Sequence, residues 1–237
     1  MALYAIGDLH MPGGDNKPMD IFGPAWENHV ERIFTAWRSL VREEDTVLIP
    51  GDITWAMYLS EAAEDLKAIG QLPGRKLFCK GNHDYWWSSL TQVRSLMPEN
   101  CHVLQHSAMD IGDYVVCGTR GWMLPTPSEP LSREDEKIYR RELARLELAL
   151  NEAMRLRRDE KPILVMLHYP PLYQDIRDTD FTRLLKKYPV SNVVYGHLHG
   201  PGIRAGWTGE VDGILYQLVS CDAIGFTPVE VLQKTKC

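Results

Sequence analysis

The sequence lacks an apolar stretch long enough to span a membrane, because no run approaches the roughly 18 residues that a spanning helix requires. It also lacks a basic excess: 26 lysines and arginines stand against 32 acidic residues, and the formal charge is −6. This balance disfavours nucleic acid as a partner, although it does not exclude a local basic groove. Neither repeats nor low-complexity segments are present. We therefore expect a globular chain with no membrane partner.

Cysteine is also scarce. The five cysteines are odd in number and form no C-x-x-C pair: Cys79, Cys101, Cys117, Cys221 and Cys237. This pattern favours a reducing compartment over a disulfide framework. The first predicted strand starts at residue 2 or 3, and its end carries candidate ligands that cleavage of a signal peptide would remove. We therefore expect a cytoplasmic protein.

Five short apolar runs each end at residues that can bind a metal ion. The runs are rich in β-branched residues, a composition typical of buried strands. Ligands of open α/β sheets lie beyond the carboxyl ends of the strands, so the side chains that follow these runs are expected to meet. In chain order these residues are Asp8 and His10, Asp52, Asn82, His168, and His197 with His199.

Apolar residues at helical spacing separate the first three runs and continue after the third. They occupy residues 26–41, 60–69 and 88–97, and Ser60 is the expected N-cap of the second of these helices. An alternation of strand and helix predicts a parallel βαβ core. The first half of the chain is therefore expected to form a largely parallel sheet.

The later part of the chain has shorter apolar runs. Residues 101–118 predict antiparallel strands, and further strands are predicted at 203–207, 214–220 and 229–232. Together they indicate a second sheet packed on the first. The fold class is therefore α/β with two sheets, in a single domain over residues 1–237, a length that suits one large domain.

A long, heavily charged helix is predicted over residues 131–158. Ser132 and Asp135 make a start that resembles a capping box, and acidic residues fill the first turn. An apolar seam repeats along it at Tyr139, Leu143, Leu146, Leu150 and Met154. Such a seam usually faces a core, so a helix that covers the sheet is favoured over a lid or a dimer contact.

The seven candidate ligands comprise four imidazoles, two carboxylates and one amide oxygen, with no thiolate. Mixed nitrogen and oxygen donors suit manganese, iron or zinc better than magnesium or calcium. Seven ligands are too many for one ion that keeps an open position. Two divalent transition-metal ions that share one carboxylate would use them all, as in sites that catalyse in-line displacement at phosphorus.

The same residues form an ordered series of motifs: Asp8-x-His10, Gly51-Asp52, Gly81-Asn82-His83-Asp84, His168 and Gly196-His197-x-His199. This series resembles that of the calcineurin-like metallophosphoesterase superfamily, with all five blocks in the family's order. The resemblance implies a four-layer α/β/β/α sandwich of two mixed sheets.

The resemblance also implies the role of each ligand. One ion would be bound by Asp8, His10, Asp52 and His199. The other would be bound by Asp52, Asn82, His168 and His197, so that Asp52 bridges the two.

By the same resemblance, His83 is the catalytic residue and, with Asn82, contacts the substrate. It would donate a hydrogen bond to a phosphoryl oxygen or protonate the leaving oxygen. For Asp84, an N-cap of the helix at 88–97 is favoured over orientation of His83.

Departures from the motif series separate the branches of the superfamily. Phosphoprotein phosphatases resemble G-D-x-x-D-R-G in the second block, but this chain has no second acid or arginine there. The same missing arginine disfavours dinucleoside-tetraphosphate phosphatases. Trp55 stands where purple acid phosphatases have an iron-binding tyrosine. Bacterial phosphodiesterases and predicted phosphohydrolases are the nearest resemblance.

Aromatic residues near the strand ends are candidates for stacking on a nucleobase, although core packing is favoured for each of them. They are Trp55, Tyr85, Trp86, Trp87 and Trp122. Arg120 could reach a phosphate, but a surface arginine is the favoured interpretation.

We therefore predict a metal-dependent phosphoesterase, in which a hydroxide that bridges two divalent metals attacks phosphorus in line. A diester is favoured as the substrate, and the small phosphate ester could be a nucleotide. The alternatives are a phosphomonoesterase of broad specificity and, in a different class, a metal-binding scaffold for protein interaction. A nuclease is the third option, which the acidic balance disfavours. The oligomeric state is not predicted.

Overall fold

The computed structural model describes residues 1–14, 19–126 and 130–233. Eleven strands are present in this part of the chain: β1 (Leu3–Ala5), β2 (Thr46–Pro50), β3 (Arg75–Cys79), β4 (Cys101–Val103), β5 (Ser107–Asp110), β6 (Val115–Thr119), β7 (Ile163–Leu167), β8 (Val190–Tyr195), β9 (Gly209–Val211), β10 (Ile214–Leu218) and β11 (Val229–Glu230). The α-helices described there are α1 (His29–Leu40), α2 (Leu59–Gly70), α3 (Leu90–Leu96), α4 (Arg133–Leu156) and α5 (Asp180–Leu185).

The strands form two mixed sheets. The first has the order β11-β1-β2-β3-β4, in which β1 to β4 are parallel and β11 is antiparallel to β1. The second has the order β5-β6-β7-β8-β10-β9, in which β6, β7, β8 and β10 are parallel and the two edge strands are antiparallel. The predicted parallel core and second sheet are confirmed.

Side-chain alternation along the central strands builds three apolar layers. On the first sheet, Leu48 and Leu77 point inward, and on the second Leu164 and Met166 do so, which forms the core between the sheets. Val47, Ile49 and Phe78 of the first sheet, and Ile163, Val165 and Leu167 of the second, face the outer layers instead. The central strands are therefore mostly apolar on both faces, as expected for sheets that are covered on both sides.

Helices cover the outer face of each sheet. The helices α1, α2 and α3 pack on the first sheet, and α4 and α5 pack on the second. The helix α4 begins as predicted, because the Ser132 hydroxyl accepts a hydrogen bond from the Asp135 amide. Its Leu146 and Leu150 are fully buried against the second sheet, so the interpretation of α4 as a sheet-covering helix is confirmed. The result is the four-layer α/β/β/α arrangement.

Four local predictions differ from the structure. Residues 203–207 do not form a strand: a 3₁₀ helix spans Gly200–Ala205, because Pro201 suits a helical first turn and cannot donate to a ladder. The 229–232 run does form a strand, but it joins the first sheet. Within 101–118, only β5 and β6 are antiparallel, whereas β4 pairs parallel to β3.

The fourth difference concerns the start of α2. Its N-cap is Tyr58 rather than Ser60, because the Glu61 carboxylate accepts hydrogen bonds from the Met57 and Tyr58 amides. Ser60 therefore lies inside the first turn of the helix.

The described cysteines are buried and free: Cys79, Cys101, Cys117 and Cys221. Cys237 lies outside the described residues. Among the helices of the described part, none has the length and apolarity that crossing a bilayer demands.

Candidate metal centre

All seven predicted ligands lie in one cluster at the carboxyl ends of strands from both sheets. Asp8, His10, Asp52 and Asn82 follow strands of the first sheet, and the three other histidines follow β7 and β8 of the second. Two sets of ligand atoms each lie within 4.8 Å of one another, namely Asp8 with His10 and His199, and Asp8 with Asp52 and His168.

The first group contains Asp8, His10 and His199. Their donor atoms all lie within 4.8 Å of one another. The Nε2 atoms of His10 and His199 are 3.5 Å apart, and His199 Nε2 is 3.5 Å from Asp8 Oδ1. Three donors that face one point at these separations fit the ligand sphere of a transition-metal ion.

The second group forms around the amide oxygen of Asn82. This Oδ1 lies 2.6 Å from His168 Nε2 and 2.9 Å from His197 Nδ1. The two imidazole nitrogens are 3.3 Å from each other. The Pro50 carbonyl accepts a hydrogen bond of 3.1 Å from His168 Nδ1, so in the neutral imidazole Nε2 carries a lone pair that faces the Asn82 oxygen. A cation is the natural common partner of these two acceptors.

Asp52 lies between the two groups. Its Oδ2 is 3.9 Å from His10 Nε2 in the first group and 3.5 Å from His168 Nε2 in the second. Its Oδ1 accepts a hydrogen bond of 2.8 Å from the His83 amide. One carboxylate oxygen is thus held by the backbone, and the other is in reach of both groups.

Burial controls protonation in this cluster. Burial lowers the pKa of His10 and His168, and it lowers that of His197 to about 3. These imidazoles are therefore neutral at neutral pH, and the lone pair that a metal ion needs is free. His199 is the exception: burial opposes its charge, but hydrogen bonds to Asp222 and Asp8 raise its pKa to about 10.

The pKa values of Asp8 and Asp52 shift in opposite directions, although burial opposes ionisation of both. Burial and the charges of Asp84 and Asp8 raise the pKa of Asp52 well above its usual range. Burial also opposes ionisation of Asp8, but the hydrogen bond and charge of His199 hold the pKa of Asp8 low. Ionisation of buried carboxylates is unfavourable without a nearby positive charge, so bound cations would stabilise the ionised forms of these side chains.

Backbone geometry explains the glycines in the motifs. Gly81 lies so close to Asp52 that a Cβ atom would collide with the Asp52 carboxylate, and a Cβ at Gly196 would collide with the Asp8 carboxylate. Asp8 and Asp52 have φ angles of 58° and 51°. Non-glycine residues in this left-handed region concentrate at functional sites, where the surrounding structure maintains the strain.

The comparison with protein families identifies the motif series. The family model for calcineurin-like phosphoesterases matches residues 1–201. The chain belongs to this family. Calcineurin-like phosphoesterases bind divalent metal ions, and the two ligand groups fit that chemistry.

Solved structures support the same fold. A protein of unknown function from Aquifex aeolicus is 15% identical with a TM-score of 0.54, and the match covers 97% of this chain and 95% of that one. A phosphopantetheinyl hydrolase from Mycobacterium tuberculosis is 16% identical with a TM-score of 0.55, at 98% and 96% coverage. No curated protein sequence matches this chain.

In this calcineurin-like phosphoesterase, His83 lies at the edge of the ligand cluster, beside a cavity. Its ring is half-buried, 5.8 Å from the His10 ring and 4.6 Å from the Trp55 ring. It borders a cavity of about 280 Å³ that is also lined by His10, Met19, Phe22, Trp26, Trp55, His199, Gly200 and Pro201. The residue predicted to face the substrate is therefore at the open side of the ligand cluster.

Only some of the predicted aromatic residues approach this cavity. Trp55 lines it and stacks on His10 at 4.8 Å between ring centroids. Trp86 and Trp87 are buried in the core of the first sheet, as the packing interpretation expects. Trp122 packs against Tyr169 at 5.2 Å. Trp26 and Phe22 were not predicted to line the cavity; they lie in short 3₁₀ helices after β1, Pro24–Trp26 and Met19–Phe22.

Asp84 does not cap a helix, so that prediction is wrong. The helix α3 begins later and is capped by Ser89. The Asp84 carboxylate is fully buried and accepts hydrogen bonds from the amides of Gly81, Asp52 and Ile53 and from Trp86 Nε1. A sequence pattern could not reveal this role, because the Asp52 and Ile53 amides belong to a loop more than 30 positions earlier.

Asp222 is a second residue that sequence reasoning missed. Its Oδ1 lies 2.8 Å from His199 Nδ1, and its Oδ2 accepts a hydrogen bond of 2.9 Å from the Gly200 amide. This contact holds the ring so that Nε2 faces Asp8. A carboxylate behind an imidazole ligand fixes the ring orientation and increases its basicity.

Asp222→Asn is expected to weaken metal binding at the first group about 10- to 100-fold, because the ring of His199 loses its charged acceptor. Metal content after dialysis against graded chelator measures this. Asp212→Asn is the matched control, since Asp212 is exposed and pairs with Lys186. Equal metal retention by Asp222→Asn and the control would contradict the assignment.

Proposed function

We propose that this chain hydrolyses phosphodiesters at a centre of two divalent transition-metal ions, with manganese, iron or zinc as the metals. The observation that carries the proposal is the position of Asp52 Oδ2 between the two ligand groups, 3.9 Å from one and 3.5 Å from the other. In this proposal Asp8, His10, Asp52 and His199 hold one ion, and Asp52, Asn82, His168 and His197 hold the other. Bound there, the ions supply Lewis acidity and the hydroxide nucleophile for in-line attack on phosphorus.

His83 acts on the phosphoryl group in this mechanism. Burial, followed by the charge of His168, lowers the pKa of His83, so its imidazole is neutral at neutral pH. A neutral imidazole still has one N–H to donate. We therefore assign His83 the role of hydrogen-bond donor to a phosphoryl oxygen beside Asn82, rather than that of a charged acid.

The cavity lining favours a diester over a monoester. None of the described residues that line it is an arginine or a lysine. A monoester carries about 1.5 to 2 negative charges at neutral pH, whereas a diester carries one. A centre that offers two metal ions and no further cation to the phosphoryl group is better matched to the smaller charge.

The cavity also indicates the kind of ester arm. Its walls are aromatic and apolar on most sides, formed by Trp26, Trp55, Phe22 and Met19. Its volume of about 280 Å³ equals that of roughly nine water molecules, enough for one ring system or a short alkyl chain. We propose that a flat or apolar arm of the substrate, such as a nucleobase, enters it. The similar fold of the phosphopantetheinyl hydrolase from Mycobacterium tuberculosis is consistent with hydrolase chemistry on this scaffold.

The test is hydrolysis of bis(p-nitrophenyl) phosphate beside p-nitrophenyl phosphate after loading with Mn²⁺, with a chelated control. We expect metal-dependent release of nitrophenol from the diester with a higher kcat/KM than from the monoester. Faster hydrolysis of the monoester would overturn the diester assignment and favour the phosphomonoesterase. Metal binding without turnover of either ester would favour the scaffold function.

Phe22→Ala is expected to raise KM for an aryl diester about 3- to 10-fold, because an aromatic contact contributes roughly 0.5–1.5 kcal/mol. Phe22 is 61% exposed, so its removal leaves the core intact. Ile21→Ala is the matched control, since Ile21 precedes Phe22 in the sequence, is more exposed and does not line the cavity. An unchanged KM for Phe22→Ala would show that no substrate arm uses this cavity.

A further inference from the structure

A second cavity lies beside the metal centre and has the opposite character. It measures about 200 Å³ and lies between α4 and the carboxyl ends of β3, β4 and β6. Its charged lining residues are Lys80, Arg120, Arg141, Glu142 and Arg145. We propose that this cavity is a binding site for a phosphoryl anion.

The charges in this cavity do not balance. Glu142 is the one acid among the described lining residues, and its side chain is fully buried. Its Oε1 lies 2.6 Å from Arg145 Nη1, 3.8 Å from Arg120 Nη2 and 4.0 Å from Arg141 Nε. The described lining therefore carries four cations and one carboxylate, and of the three arginine contacts to Glu142 only that of Arg145 is a hydrogen bond. This excess of positive charge calls for an anionic partner.

Glu142 also arranges the arginines rather than neutralising them. Its second oxygen accepts a hydrogen bond of 2.8 Å from the Thr119 hydroxyl, which ties α4 to the end of β6. With the carboxylate so held, nitrogens of all three guanidinium groups lie within 4.0 Å of its Oε1. Guanidinium groups in fixed positions match the oxygens of phosphate better than a flexible ammonium does.

An unpaired buried donor supports this assignment. Arg120 Nε is buried and has no hydrogen-bond partner among the described residues. The guanidinium stacks on the Trp122 ring at 4.4 Å, which fixes its plane. Arg120 is not a surface arginine, since 19% of its side chain is exposed. A buried N–H that lacks a protein acceptor is costly unless a bound group satisfies it.

Lys80 adds a fourth cation to the lining. Its ammonium donates a hydrogen bond of 3.1 Å to the Trp87 carbonyl, so it is held at the wall of the cavity. A bound anion would offset the repulsion between this ammonium and the guanidinium groups.

The site borders the proposed catalytic centre through the backbone. Lys80 comes two positions before Asn82, and the Arg120 carbonyl accepts hydrogen bonds of 3.0 Å from the His168 amide and 2.9 Å from the Tyr169 amide. A phosphoryl anion could therefore be a second phosphate of the substrate, an assignment that rests on the proposed function. It could also be a separate anion.

Equilibrium dialysis with radiolabelled inorganic phosphate tests the site on the full chain, with Mn²⁺ and again with chelator. Chelator removes the metal ions, and with them any phosphate that they bind. The phosphate binding that remains is therefore assigned to the basic cavity. We expect Arg145→Gln and the more exposed Arg141→Gln each to weaken it about tenfold or more, because each removes charged donors. Arg155→Gln is the control on the same helix, where the arginine pairs with Glu152. Thermal unfolding verifies that the variants are folded.

Equal phosphate affinity in the wild type, Arg141→Gln and Arg145→Gln would overturn the proposal, and so would absence of phosphate binding in chelator. Neither result depends on turnover, so failure here is separate from failure of the proposed function. Two nitrophenyl diesters then distinguish the sources of the anion. A KM increase in Arg141→Gln confined to the diester with a second phosphoryl group upholds the site as part of the substrate pocket. If Arg141→Gln weakens phosphate binding but has the wild-type KM for both diesters, the cavity is a site for a separate anion.

Discussion

Asp52→Asn is expected to lower kcat/KM for the diester by at least about 10³-fold while the chain stays folded. Asparagine lacks the negative charge that the Asp52 carboxylate would offer to both ions, and Asp52 Oδ2 lies within 3.9 Å of a histidine in each ligand group. Loss of several kcal/mol of transition-state stabilisation at the metal centre corresponds to a rate effect of this size. Steady-state kinetics and metal analysis of the purified variant measure it.

The same substitution has an opposite effect on the metal-free protein. Burial and the charges of Asp84 and Asp8 raise the pKa of Asp52, so the ionised form is disfavoured in the folded state. A raised carboxyl pKa contributes stability below the unfolded pKa, and this contribution is lost as pH rises through the folded value. At neutral pH the Asp52 charge therefore destabilises the fold. Asparagine removes the charge, and its Oδ1 can still accept from the His83 amide.

Thermal unfolding with and without Mn²⁺ separates these two effects. In chelator, Asp52→Asn is expected to unfold at the wild-type temperature or above it. With Mn²⁺, the wild type gains more stability than the variant, because ligands stabilise the state that binds them. Asp110→Asn is a surface control, since that carboxylate pairs with Lys161. Activity of Asp52→Asn near that of the wild type would rule out the bridging role.

The strand ends were predictable because each motif joins two local signals. An apolar run defines a strand that is buried on both faces, and the polar residue after it must lie at the carboxyl edge of the sheet. Gly51, Gly81 and Gly196 belong to the same signal, since the chain turns sharply beside a carboxylate or an imidazole. These features depend on residues within a few positions of one another, so sequence alone captured them.

Two features that the sequence did not reveal depend on contacts between separate elements. Asp222, which was not predicted, contacts His199 from a loop beyond β10. Arg120, for which a surface position was favoured, is largely buried beside Glu142 of α4. Neither contact leaves a periodic or spaced pattern in the sequence. From the sequence alone, Arg120 is therefore predicted to lie at the surface, because the packing of α4 is not known at that point.

The wrong interpretation of Asp84 has the same cause and leads to the second prediction. An aspartate shortly before a helix is typical of an N-cap, but Asp84 instead joins two loops. Its Oδ2 accepts from the Gly81 and Asp52 amides at 2.7 and 3.0 Å, and its Oδ1 accepts from the Ile53 amide at 2.9 Å. The carboxylate thus ties the loop after β3, which carries Asn82, to the loop after β2.

Asp84→Asn is expected to lower the free energy of unfolding by about 2–4 kcal/mol, because the new amide group faces backbone donors and leaves one or two of them unsatisfied at roughly 1–3 kcal/mol each. For a chain of this size that corresponds to a decrease in Tm of roughly 4–16 °C. The Asp52 backbone also loses its anchor, so metal affinity should fall at temperatures where the variant is still folded.

Urea unfolding in chelator measures the free energy of unfolding, and a Mn²⁺ titration at low temperature measures the metal affinity of the folded variant. Asp113→Asn serves as the control, because Asp113 lies in the exposed turn between β5 and β6. A merely structural role would lower stability and leave the Mn²⁺ affinity of the folded variant unchanged. Weaker Mn²⁺ binding together with lower stability is the result that assigns Asp84 the positioning of the Asp52 and Asn82 loops, since these loops present Asn82 of the second group and the Asp52 carboxylate that lies between the groups.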